Sequence, residues 1–127
     1  MSAHTPGLSP QMFRLLALLP ILTSTALAFS PEELRLSVEA RGVLAHQCTK
    51  CHGQHKQKGE LRLDTREAAM KGGESGASIA PGKPDESDLL RRVVLPTADD
   101  EHMPPEKKVI ESQNIETLRK WIAAGAP

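Results

Sequence analysis

Cys48-Thr49-Lys50-Cys51-His52 places two thiols and an imidazole within one short stretch, and Gly53 follows at once. Cysteines separated by two residues, with a histidine next in line, form the attachment pattern of a c-type haem. The order has a chemical reason. Each sulfur adds across one vinyl group of the porphyrin, and the adjacent histidine is then held under the iron to supply an axial nitrogen. On this reading Cys48 and Cys51 carry one covalent haem c and His52 is the proximal ligand. The rest of the chain must then provide a sixth ligand, an apolar crevice and a route to the compartment where such haems are attached.

Three other uses of the same residues compete. A redox dithiol expects a strand–helix context, whereas here the motif follows a helical pattern in a chain with no strand run. Zinc would need further ligands from His46, His55 and His102, whose spacing matches no standard site. A disulfide between Cys48 and Cys51 would close a loop too small to stabilise much. The sixth ligand has one conspicuous candidate. A polar, acidic stretch, Ala98-Asp99-Asp100-Glu101, runs into His102-Met103-Pro104-Pro105, and the two prolines fix the backbone so that the loop can hold a thioether steady. His102 is its rival, with His46 and His55 behind it. The choice has a physical consequence, because a thioether raises the reduction potential and a second imidazole lowers it.

The elements that must position these groups begin after a leader. Arg14 precedes the apolar run Leu15 to Leu22, which fades into Ala26-Leu27-Ala28, an Ala-x-Ala cleavage site. Residues 1–28 are expected to be a secretory signal peptide and residues 29–127 one cytochrome-sized domain, with Met12 an alternative start. The run is shorter than the ~20 residues that span a bilayer and contains Pro20, so a retained membrane anchor is the lesser reading. The protein is therefore expected to be exported, to the periplasm. The full chain has 16 basic and 16 acidic residues, and loss of the leader removes only Arg14. Such a balance points to neither nucleic acid nor an anionic membrane as partner. Aromatics make up 2% of the chain and there is no tyrosine, so a domain this small is short of core, and a porphyrin would supply the missing apolar body.

Ser30-Pro31-Glu32-Glu33 predicts a helix start with a capping box, and the helix is expected over about 31–46 with Leu34, Val38, Arg41 and Ala45 on its periodic face. Leu61 and Leu63 alternate with Arg62 and Asp64 and suit a short extended segment laid against something apolar. Asp64 and Glu67 predict the cap of a short second helix that ends at Gly72-Gly73. Residues 72–84 read as a loop. A third helix is expected to begin near Asp85, with Asp88 in capping-box position, and to stop at Pro96. The last runs from about Ser112 or Asn114 to Ala124 with Ile115, Leu118, Trp121 and Ile122 on one face.

Assembled in this way, the chain resembles the class I cytochrome c fold, and within it the planctomycete-type cytochrome c domain. The resemblance rests on Cys48 to Gly53, Lys58 to Ala69, Lys71 to Gly76, Pro81 to Ser87, Met103-Pro104-Pro105 and Leu118 to Pro127. It implies an all-α fold of three to four short helices and long loops wrapped around one haem. It also implies that Cys48 and Cys51 bear the thioether bonds, that His52 is the proximal ligand and that Met103 is the distal ligand. The domain usually heads a longer polypeptide in that family, so the sequence reads as a free-standing cytochrome or a fragment. In ordinary class I cytochromes a proline carbonyl orients the proximal imidazole, yet no proline occurs here between His52 and Pro81.

The function expected is one-electron transfer with a redox partner protein. No cluster of acid, base and nucleophile suggests an enzyme. A haem-based ligand-binding or sensing module and an electron-relay domain of a larger oxidoreductase are the alternatives. Arg62, Arg91 and Arg92 could pair with haem propionates, although for each a solvated charge is the plainer reading. Lys50, Lys56 and Lys58 flank the motif and would attract an acidic partner.

Overall fold

The computed structural model describes residues 1–3 and 29–127. The expected leader, with its cleavage site at Ala28, falls almost wholly outside the described residues. The fold is all-α, as the sequence predicts. The described residues form four α-helices, α1 (Pro31–Gln47), α2 (Arg66–Lys71), α3 (Asp88–Val94) and α4 (Ser112–Ala123), with 3-10 turns at Lys58–Glu60 and Pro84–Glu86. The described residues contain no strand, only isolated bridges pairing His52 with Gln57 and Gly73 with Gly76. No helix among them is long and apolar enough to cross a membrane.

The capping box of α1 is formed in full. Glu33 donates its backbone N–H to Ser30 Oγ at 3.2 Å, and Ser30 donates its own to the Glu33 carboxylate at 2.7 Å. The buried face of α1 differs from the expected one. Leu36, Ala40, Val43 and Leu44 are buried, while Leu34 and Val38 are 56% and 59% exposed. Small residues explain the difference: Ser37 and Ala40 are both buried in α1, which packs on α4, and small side chains let two helices approach closely.

From α4, Leu118, Trp121 and Ile122 are buried and Ile115 is half-buried, on the face the spacing predicts. The chain end is tied back to both long helices. Trp121 Nε1 and Ser37 Oγ each donate to the Pro127 carbonyl at 3.0 Å, and Arg66 Nε donates to the Ala126 carbonyl at 2.7 Å.

Two helix starts lie slightly away from where the sequence puts them. Thr65, not Asp64, caps α2, accepting the Ala68 N–H at 3.2 Å. Asp64 is unavailable because both its oxygens are held by Arg62, at 2.9 and 2.7 Å. Likewise α3 begins at Asp88 after Ser87, and the residues near Asp85 form the preceding 3-10 turn. Asp88 makes no capping box. Its carboxylate is taken by Arg91 at 2.7 Å and Arg92 at 2.6 Å, one turn further along the helix.

Candidate haem site

The two-cysteine motif is the frayed continuation of α1. Cys48 donates its backbone N–H to the Leu44 carbonyl at 2.9 Å, Cys51 to Cys48 at 3.1 Å and His52 to Cys48 at 2.9 Å. Helix-like turns of this kind bring residues three and four apart onto one side. Cys48, Cys51 and His52 accordingly line one cavity, about 540 Å³ in volume. That is within the range of about 300–1,000 Å³ typical of sites for small molecules and cofactors. Gly53 ends the turn, and a Cβ there would collide with the Thr49 carbonyl oxygen.

Both thiols are free and half-buried. Burial pushes the Cys48 thiol up to about 11, the opposite of the depressed value that activates a redox dithiol. Among the described residues no group of three or more His, Cys, Asp or Glu side chains is disposed to hold a metal ion. The His52 carbonyl is fixed by the Leu63 N–H at 2.8 Å. Its ring Nδ1, by contrast, is buried without a hydrogen-bond partner. Among the described residues nothing supplies what the missing proline carbonyl would have given.

Met103 reaches the same cavity from the far side of the sequence. Its backbone N–H donates to the Arg92 carbonyl at 3.1 Å, which docks the loop on α3. Glu101 reinforces the dock by pairing with Arg91 at 2.9 Å and with Arg92 at 3.3 Å. The Met103–Pro104 peptide is cis, and Pro104 and Pro105 also line the cavity. His102 is buried elsewhere: Nδ1 lies 2.8 Å from the Leu95 carbonyl oxygen and Nε2 lies 2.7 Å from that of Lys108. It takes no part in the cavity wall, and neither does the exposed His55, whereas His46 lies at the rim.

Leu61, Leu63, Leu89, Val93 and Ile110 make the wall apolar. Leu61 and Leu63 thus do what their alternation suggests, although as an irregular segment. Of the three arginines, only Arg92 lines the cavity, and Arg62 is spent on Asp64. Lys50, Lys56 and Lys58 surround it as expected, with Lys108 added from the last loop, where it pairs with Glu106 at 2.9 Å. A second concavity of about 530 Å³, between Gln57, Arg62, Glu67 and Lys71, contains none of the motif groups.

Nothing periodic announces the segment from Gly73 to Ser78, which contributes Gly73, Ser75, Gly76 and Ser78 to the wall. Its approach depends on glycine. Gly72 has φ +76° and a Cβ there would strike the Gly76 carbonyl, while Glu74 donates to the Gly59 carbonyl at 2.8 Å. The cluster of glycines at 72, 73 and 76 was the available signal.

With one cavity bounded by the thiols, the imidazole and the thioether, the comparison with known families becomes specific. Residues 48–107 match the family model of planctomycete cytochrome C. That segment is similar to the planctomycete cytochrome C domain. The matched segment opens on Cys48 and takes in His52 and Met103, both of which line the cavity. Cytochrome c domains are haem-binding electron carriers, and Cys48 and Cys51 fit the two-thiol motif for haem c. Searches of curated proteins and of solved structures give no significant match.

Proposed function

We propose that this chain is an exported single-haem c-type cytochrome that carries one electron at a time between protein partners. One observation carries the reading: Cys48, Cys51, His52 and Met103, up to 55 positions apart in a chain of 127, line a single apolar cavity. The residues present fit the group. Cys48 and Cys51 would hold it covalently, His52 would supply the proximal nitrogen and Met103 the distal sulfur. When bound, the haem supplies the one-electron ferric–ferrous couple.

The protein's own residues do the rest. The leucines and Ile110 exclude water and keep the local dielectric low, which magnifies the effect of every nearby charge on the couple. The Arg92–Asp88–Arg91–Glu101 network holds the Met103 loop against α3. His52 and Met103 would together occupy the haem iron, which would leave no open position for a substrate and make the domain a carrier. Lys50, Lys56 and Lys58 at the cavity mouth favour an acidic partner surface. Export rests on the Arg14-to-Ala28 leader pattern, and it agrees with the attachment of haem c outside the cytoplasm.

A redox titration of the purified protein tests the proposal. A single reversible one-electron transition between two six-coordinate forms is expected. Rapid carbon monoxide binding to the ferrous form would instead mark a ligand-binding or sensing module.

A further inference from the structure

Buried hydroxyls in this fold are almost all satisfied. Ser37 Oγ donates to the Pro127 carbonyl at 3.0 Å, and Thr117 Oγ1 donates to Gln113 at 3.1 Å. Ser87 Oγ accepts from the Ala80 N–H at 2.9 Å and donates to the Lys83 carbonyl at 3.0 Å. Ser78 is the exception. The residue is 6% exposed, its Oγ is buried with no partner, and it lines the cavity that holds the cysteines and His52.

An unpaired buried hydroxyl costs about 1–3 kcal/mol, so a position like this asks for a ligand atom. The backbone there is not free to turn away, because the Ser78 carbonyl accepts the Leu89 N–H at 2.9 Å. The same wall carries Arg92, whose side chain is 21% exposed. Its Nε is used by Asp88 at 2.6 Å and its Nη2 by Glu101 at 3.3 Å, and Nη1 has no partner among the described residues. Asp88 does not make this wall repel anions, since Arg91 and Arg92 already engage both of its oxygens. A hydroxyl donor and an unspent guanidinium N–H beside the apolar side chains of Leu89 and Val93 match a carboxylate. The propionates are the carboxylates a haem brings.

We infer that Ser78 Oγ donates a hydrogen bond to one haem propionate, with Arg92 as the nearby compensating charge. The assignment rests on the haem reading and extends it to the residue that sets the ionisation of that propionate. Ser78 is thus a positioning and tuning residue for the couple. A donor to the charged form lowers the pH at which the propionate ionises. An ionised carboxylate beside the iron favours the ferric state, so the midpoint potential falls with pH through that ionisation and shows a break there.

The test is the midpoint potential of the haem-loaded protein measured from pH 4 to pH 9 for wild type, Ser78→Ala and Ser78→Thr. In Ser78→Ala the break is expected to move up by about one pH unit, the size of one hydrogen bond to a charged group. Ser78→Thr keeps the hydroxyl and stays near wild type. An unmoved break in Ser78→Ala, equal displacement in both variants, or a wild type with no break each overturns the assignment while leaving the haem reading intact. A wild-type protein without covalent haem overturns both.

Discussion

His102 Nε2 lies 2.7 Å from the carbonyl oxygen of Lys108, and that contact governs which of two adjacent side chains can reach the cavity of Cys48, Cys51 and His52. With Nδ1 at 2.8 Å from the Leu95 carbonyl, both nitrogens of His102 are engaged in closing the loop between α3 and α4. Met103, with no such engagement, lines the cavity. Replacing Met103 by Ala should abolish the long-wavelength sulfur-to-iron band of the oxidised protein and lower its potential. Replacing His102 by Ala should keep the band and cost about 1–3 kcal/mol of stability, because the ring N–H bond that ties the loop to a backbone carbonyl is lost. An oxidised wild type without the band, with a potential shifted by the His102 substitution and not by the Met103 one, would reverse the roles of the two residues.

Two glycines give opposite expectations. Gly53→Ala drives a Cβ into the Thr49 carbonyl, so the turn that carries Cys51 and His52 must deform, and lower thermal stability with less haem attached is expected. Gly42 lies in the middle of α1, and a Cβ added there would meet nothing within 4 Å, so Gly42→Ala should stabilise by about 0.5–1 kcal/mol. Thermal unfolding of the two variants side by side checks both, and a destabilised Gly42→Ala would refute the α1 geometry.

Much of this arrangement was legible in the residues themselves. The α1 start follows from Ser30, Pro31 and Glu33 because a capping box is a local device, and the cavity's chemical groups announce themselves by type. Tertiary choices were less visible. Leu34 and Val38 are as apolar as Leu36 and Val43, and only the packing of α1 on α4 decides which pair is covered. Asp64 and Thr65 are both good caps, and the competition is settled by Arg62, which binds the aspartate first. Ser78 sits in an irregular loop with no periodicity to mark it, and its significance lies entirely in having no partner.

Asp88 predicts an acid-sensitive dock for the Met103 loop. Burial acts to raise its carboxyl, but Arg92 and Arg91 outweigh that and hold it below the ordinary aspartate value of 3.8. A lowered folded-state value means that the stabilisation is fully present above the ordinary value and disappears as pH falls through the folded one. Melting temperature should therefore drop more steeply below about pH 4 in wild type than in Asp88→Asn, which has already lost the pairs. Parallel curves would show that the network contributes nothing to stability.

Lys50, Lys56 and Lys58 predict salt-dependent encounters with an acidic partner. Electron-transfer rates with an anionic redox protein should fall as ionic strength rises, because exposed charges are screened over about 8–10 Å at 0.1–0.15 M salt. Lys50→Glu combined with Lys56→Glu should slow the low-salt rate by about tenfold or more. A rate independent of both salt and substitution would remove these lysines from the docking surface.

The electron-carrier function depends on Cys48 and Cys51 holding a haem covalently in the cavity that His52 and Met103 share. The most direct measurement is the intact mass and absorbance of the denatured polypeptide, expressed from Met1 in a host that matures c-type cytochromes. The mass of one haem added to the mature chain is expected, with colour that stays with the polypeptide and is lost in the Cys48→Ala, Cys51→Ala double variant. A colourless chain of unmodified mass, or a pigment that washes away on denaturation, would show that no haem is attached at these cysteines.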